Sequence, residues 1–142
     1  VGVINRVYVG VDVGEKRIGL SRSDALGILA SPVKTLTRKS TSGDIDAVLR
    51  FAAESGALEI VVGMPTSLSG KAGPQAKVTA AFIEALAGQS HVPVREQDER
   101  MSSAEAERLL RAAGKKPSRD KATIDSAAAA IILQRFLDKL NP

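Results

Sequence analysis

The chain contains no cysteine, a single histidine and only 3% aromatic residues. Without cysteine there are no disulfide staples, thiolate metal sites or cysteine nucleophiles, and a reducing compartment is favoured. One histidine, His91, cannot supply a histidine-rich metal site. Any metal must therefore be held by oxygen, and hard oxygen donors suit Mg²⁺ or Mn²⁺. Scarce aromatics argue against base stacking as the main mode of nucleic-acid binding. No apolar run approaches the ~20 residues of a membrane span. No basic stretch followed by an apolar core marks a secretory signal. The expected location is the cytoplasm, with no membrane partner.

What is present suits one compact domain over residues 1–142, since hydrophobic residues make up 44% of the chain. Ala, Val, Leu and Ile must build its core. The net charge of +4 and pI near 9.6 favour a polyanionic partner such as nucleic acid, although they serve solubility equally well.

Val7 to Val13 reads VYVGVDV, apolar on both faces until Asp12, as in a central strand covered on both sides. Gly14 to Arg17 supplies a turn, and Ile18 to Ser21 continues as a second strand. A third strand falls within Ile28–Leu36, where Pro32 predicts an edge or a bulge. The pattern then changes. Asp44 is placed to cap a helix over 45–55 that stops at Gly56. Ile60-Val61-Val62 is a buried strand. A second helix spans 75–87, with Val78, Phe82, Ile83 and Leu86 inward. A fifth strand begins at Val92 and runs into Asp98-Glu99. Ser102 and Glu105 form a capping box for a helix to Ala113. A basic loop covers 114–122, and Asp125 opens a final Ala-rich helix. Helical crossovers make strands 1, 4 and 5 parallel beside an antiparallel trio, giving a mixed α/β sheet flanked by helices.

Asp12 interrupts an apolar strand near its carboxyl end, where open α/β sheets collect ligands. A carboxylate buried there costs several kcal/mol unless it is paired or binds a cation, at about the scale of other buried charges. It could equally accept hydrogen bonds from the 14–17 turn. Asp98 and Glu99 end the parallel strand 5, and adjacent strand residues face opposite ways, so both remain candidates for a shared site. The helix that follows also favours acids at its start. Asp125 is either an ordinary helix-start residue or a third acid. The small run from Ser126 to Ala130 would let its helix lie close to the sheet. Three such carboxylates form a cage for the divalent ions of phosphodiester hydrolysis. The Gly63–Pro74 segment, with Lys71, would border the site, although its composition also fits a plain surface loop. Lys16, Arg17, Lys71, Arg100, Lys115, Lys116, Arg119 and Lys121 are candidate nucleic-acid contacts, read through phosphate rather than base.

Four segments carry a family resemblance. They are Gly10-Val11-Asp12-Val13-Gly14 with Arg17-Ile18-Gly19; Ile60 to Pro65 with Gly70 and Gly73-Pro74; Asp98-Glu99-Arg100 with Ser103 and Ala106; and Ile124 to Ala128 with Ile131 and Leu133. In this order and spacing they resemble the YqgF/RuvX family of bacterial Holliday junction resolvases and pre-16S rRNA nucleases, from Val9 to about Leu137. The resemblance implies a ribonuclease H-like fold with a five-stranded mixed sheet of order 3-2-1-4-5. It also implies a metal-dependent endonuclease acting on structured nucleic acid, either a ribosomal RNA precursor in 16S 5′-end maturation or branched DNA. By the same analogy the metal ligands and catalytic acids are Asp12, Asp98 or Glu99, and Asp125, with Mg²⁺ or Mn²⁺ as cofactor. Many enzymes of this fold carry an acid on strand 4. Here Glu59 sits at the wrong end, so the Asp98-Glu99 pair must substitute. Junction resolution needs two symmetric cuts and would suit a homodimer. Two other classes compete. A non-catalytic nucleic-acid binder of the same fold would not need the acids. A sugar-kinase or actin-like ATPase shares the Asp-x-Gly hairpin but needs a second domain to close its cleft.

Overall fold

A computed structural model describes residues 5–65, 73–98 and 121–142, the side chains of Lys121 and Ala122 excepted. The described elements are β1 (Tyr8–Val13), β2 (Arg17–Ser23), β3 (Ala30–Thr37), α1 (Thr41–Ser55), β4 (Glu59–Met64), α2 (Pro74–Gln89), β5 (Val94–Asp98) and α3 (Lys121–Leu140). The strands form one five-stranded sheet in the order β3-β2-β1-β4-β5. β2 is antiparallel to both β1 and β3, whereas β4 is parallel to β1 and to β5. This is the order that the family resemblance implies.

Strand alternation sorts β1 between two cores. Val9, Val11 and Val13 join Ile18, Leu20, Ile60 and Val62 under α1 and α2, against Ile45, Val48, Phe51, Phe82 and Leu86. Tyr8 faces the other way, with Val61, under Ile132, Leu133 and Leu137 of α3. Each fully buried Val, Leu or Ile contributes about 1.5–3 kcal/mol, so a register slip that exchanged the faces would forfeit both cores.

The α3 face is built from small residues because the helix lies almost on the strands. Along β2 this face presents Gly19, Ser21 and Ser23. The buried Ser21 hydroxyl donates to the Ala129 carbonyl at 2.8 Å. The buried Ser23 hydroxyl accepts the Tyr8 N–H at 2.9 Å. A β-carbon at Gly10 would meet the Ala129 carbonyl oxygen, and one at Gly19 would land on the Asp125 carbonyl. The small run expected to bring the last helix close to the sheet does so.

β3 is the edge strand, and its register against β2 shifts between Leu20 and Ser21, passing from Lys34 to Pro32. Val33 is the extra residue, so Pro32 marks both an edge and a bulge.

Four expectations change. The first helix starts at Thr41, capped by Ser40, whose hydroxyl accepts the Gly43 N–H at 3.1 Å. Asp44 is therefore in the first turn and buried, not the cap. Gly56 does end this helix, in the left-handed conformation at φ 67°. In α2, Val78 is exposed, and Thr79 joins Ala76, Phe82, Ile83 and Leu86 on the buried stripe. α3 begins at Lys121, so Lys121 and Ala122 are helical and Asp125 lies one turn inside. No glycine or proline stands between Lys121 and Asp125 to stop the helix extending backward. The fifth strand spans Val94–Asp98 and so excludes Val92. The helix expected over 102–113 lies outside the described residues.

Candidate active site

Asp12 is the next-to-last residue of β1, and it pairs across the hairpin with Gly19. It shares strand parity with Tyr8 and Gly10, which places it on the α3 face, where it is half-buried. Gly19 in turn lies against the backbone of Asp125. The backbones of two acids separated by more than a hundred positions thus both border one glycine, at the carboxyl end of the central strand. A side chain at position 19 would push them apart.

Asp125 is three-quarters buried, and its Oδ2 accepts a hydrogen bond from Arg17 Nε at 2.6 Å; the Arg17 side chain is 32% exposed and that of Asp125 25%. Arg17 is two residues from Gly19 on the same face of β2, and its carbonyl accepts the Gly14 N–H at 2.9 Å. The backbone of Arg17 is therefore anchored in the turn that follows Asp12. Lys16, in the same turn, is exposed.

At β5, register pairs Gly63 with Gln97 and Met64 with Asp98. Gln97 is buried. Asp98 is exposed and borders an open cleft with Gln97, Arg135, Asp138 and Lys139. Among the described residues, no three acidic or histidine side chains converge as a metal site. The structure thus places Asp12 and Asp125 on either side of Gly19 and leaves Asp98 at the adjoining strand end. Glu99, Arg100, Lys71, Lys115, Lys116 and Arg119 lie outside the described residues, as does the side chain of Lys121.

Two supports of the site were invisible in sequence. Arg38 donates from Nε to Asp44 Oδ2 at 3.1 Å and from a terminal nitrogen to the Gly14 carbonyl at 3.1 Å. Its backbone N–H bonds the Lys16 carbonyl at 2.9 Å, and its guanidinium lies over the Phe82 ring. Asp44 also accepts the Lys39 N–H at 3.1 Å. This group braces the 14–16 turn from the α1–α2 side. Gln75 Nε2 donates to the Val13 carbonyl at 3.1 Å, tying the first turn of α2 to the end of β1. The two ends of the Gly63–Pro74 segment therefore do flank the site. An arginine six residues before an aspartate is the only sequence trace of the brace, and many such pairs never touch.

The donors at this end of the sheet are carboxylates. His91 lies at the opposite end, beside Gln89, Ser90 and Val92, lining a separate groove next to α1. Carboxylate oxygens such as those of Asp12 and Asp125 fit a hard divalent cation in their chemistry.

The chain matches the RuvX family model, described as Holliday junction resolvase, over residues 6–139. It is 41% identical over 131 residues to a protein of Synechococcus sp., an alignment spanning 92% of this chain and 88% of the relative. It is 44% identical over 129 residues to a protein of Symbiobacterium thermophilum, spanning 91% and 90%. Both relatives bear the name "Putative pre-16S rRNA nuclease". T. thermophilus RuvC, solved in complex with a Holliday junction substrate, superposes with a TM-score of 0.62 at 16% identity, covering 96% of this chain and 97% of its own. Fowlpox virus resolvase with Holliday junction DNA gives 0.58 at 12% identity, covering 96% and 99%. At such identities these structures speak to the fold, which is ribonuclease H-like. With one family model and close relatives spanning nearly its whole length, the chain belongs to the RuvX family.

Proposed function

We propose that this chain is a divalent-metal-dependent endonuclease that cleaves phosphodiesters in structured nucleic acid. The observation that carries this reading is the meeting of Asp12 and Asp125 around Gly19 at the carboxyl end of β1. Two carboxylates beside each other repel a phosphate unless a cation lies between. Asp12 and Asp125 would hold Mg²⁺ or Mn²⁺, with Asp98 at the end of β5, or Glu99 next to it in sequence, as a third acid. Bound there, the ion supplies an activated water and charge stabilisation for the leaving oxygen. The chain's own residues position the phosphate. Lys16 stands exposed in the turn after Asp12. Lys71, Arg100, Lys115, Lys116, Arg119 and Lys121 are the further cations we assign to the backbone of the nucleic acid.

The relatives and the structural neighbours point to two substrates, a 16S ribosomal RNA precursor and a four-way DNA junction. Both offer a backbone that can be recognised by shape. We take the protein to act in the cytoplasm as one domain, and as a homodimer when two symmetric cuts are needed. No described helix is long and apolar enough to cross a membrane.

A side-by-side assay on a four-way DNA junction and a ribosomal RNA precursor, with Mn²⁺, Mg²⁺ or chelator, tests the proposal. Cleavage of one substrate should require metal and vanish in Asp12→Asn, while binding persists. Binding without cleavage by the wild type under every condition would favour the non-catalytic reading. Full cleavage by Asp12→Asn would reject the site.

A further inference from the structure

We infer that Arg17 is an internal counter-ion that occupies Asp125 until a divalent cation displaces it, rather than a standing contact to nucleic acid. The inference rests on the metal site proposed above and adds a device to it. Three observations carry it. The Arg17 Nε to Asp125 Oδ2 contact, at 2.6 Å, is short even for a charge-assisted hydrogen bond. Both side chains are largely withdrawn from water, so the contact is less screened than a surface pair. The backbone from which the guanidinium extends is also fixed, because the Arg17 carbonyl accepts the Gly14 N–H in the turn directly after Asp12.

Without a cation, the pairing gives Asp125 a positive partner beside Asp12. Arg17 is thus a positioning residue that keeps the second acid aimed at the strand end. For a metal to take the Asp125 Oδ2 that Arg17 holds, the guanidinium must withdraw, so part of the binding free energy goes into breaking this pair. The site then discriminates against weakly held monovalent ions, which cannot displace the arginine. Arginine suits the role because its fork is planar and always charged.

The test is direct binding of Mn²⁺ alone to the full-length protein, by calorimetry or electron paramagnetic resonance, without nucleic acid. Arg17→Gln should bind Mn²⁺ about fivefold more tightly than wild type, the scale expected for loss of a partly buried ion pair. Lys16→Gln removes the same charge one residue away and should change the affinity by less than about twofold at moderate salt. Circular dichroism confirms that both variants are folded, and Arg17→Lys provides a second, milder substitution that should fall between Arg17→Gln and wild type. Equal or weaker Mn²⁺ binding by Arg17→Gln overturns the inference, as does an equal gain in Lys16→Gln. If wild type binds Mn²⁺, Asp12→Asn loses it and Arg17→Gln shows no gain, the counter-ion role alone falls. If neither wild type nor Arg17→Gln binds Mn²⁺, the metal site and the counter-ion role fall together.

Discussion

The α-carbon of Gly19 lies so close to the carbonyl oxygen of Asp125 that no β-carbon fits between them. Gly19 also faces Asp12 across the hairpin, so the same missing side chain lets the Asp125 backbone approach the strand pair that carries Asp12. Gly19→Ala must push α3 away from β2. We expect a stability loss of about 1–3 kcal/mol from overpacking. Cleavage should fall far more than stability, because displacement of a catalytic group by an ångström costs on the order of a hundredfold. Urea denaturation beside a cleavage assay, at a temperature where the variant stays folded, separates the two effects. Wild-type activity in Gly19→Ala would mean that the acids do not depend on this contact.

Metal occupancy should be visible in stability as well as in turnover. A ligand at a hundredfold above its dissociation constant stabilises the native state by about 2.7 kcal/mol. Mn²⁺ should therefore raise the melting temperature of the wild type, and EDTA should reverse the rise. Asp12→Asn and Asp125→Asn should each lose most of the response. A metal-induced rise that survives in both variants would place the ion elsewhere.

The Arg38–Asp44 pair is the brace behind the site, with side chains only 17% and 6% exposed. Removing one partner strands a buried charge and costs about 3–5 kcal/mol, whereas removing both costs less. Asp44→Ala and Arg38→Met should each lower the urea midpoint strongly, and the double variant should recover part of the loss. Because Arg38 also holds the Gly14 carbonyl, the double variant should still be slow in cleavage. A strictly additive cycle would show that the two side chains do not depend on each other.

A pH effect is expected far from the site. The Asp24 carboxylate accepts the Ile28 and Leu29 N–H groups at 2.8 and 3.2 Å. The Ile28 bond is the main cause holding its carboxyl below the usual aspartate value. A group depressed in the folded state contributes stability that is fully present above its unfolded pKa and is lost as pH falls through the lower folded value. The stability gap between wild type and Asp24→Asn should therefore be constant near neutrality and shrink below about pH 4. A gap that widened on acidification would contradict the assignment.

Much of this architecture was legible in sequence. The β-branched runs of β1 and β4, the Pro32 edge and the Gly56 stop each act through local sterics, so local sequence reveals them. The first helix start was not legible. Ser40 and Asp44 are both good caps, and what decides between them is Arg38, which draws Asp44 into the interior. In α2 nearly every face is apolar, so periodicity could not tell Val78 from Thr79. Asp12 was conspicuous as a lone acid in an apolar strand. That Asp125 was its neighbour rested on the small residues after it. That Arg17 paired with Asp125 had no local sign, because the contact joins positions 108 residues apart.

The bulge at Val33 has a consequence for how this protein behaves in crowded solution. Leu26, Ile28, Leu29 and Val33 are all exposed at or near the open margin of the sheet, a setting that invites a stray strand to stack alongside. Pro32 offers no N–H to such an intruder, and the register slip beside it breaks the regular ladder a newcomer would need. Straightening β3, by deleting Val33 and replacing Pro32, would turn a sticky but unpairable border into a template for fibrils.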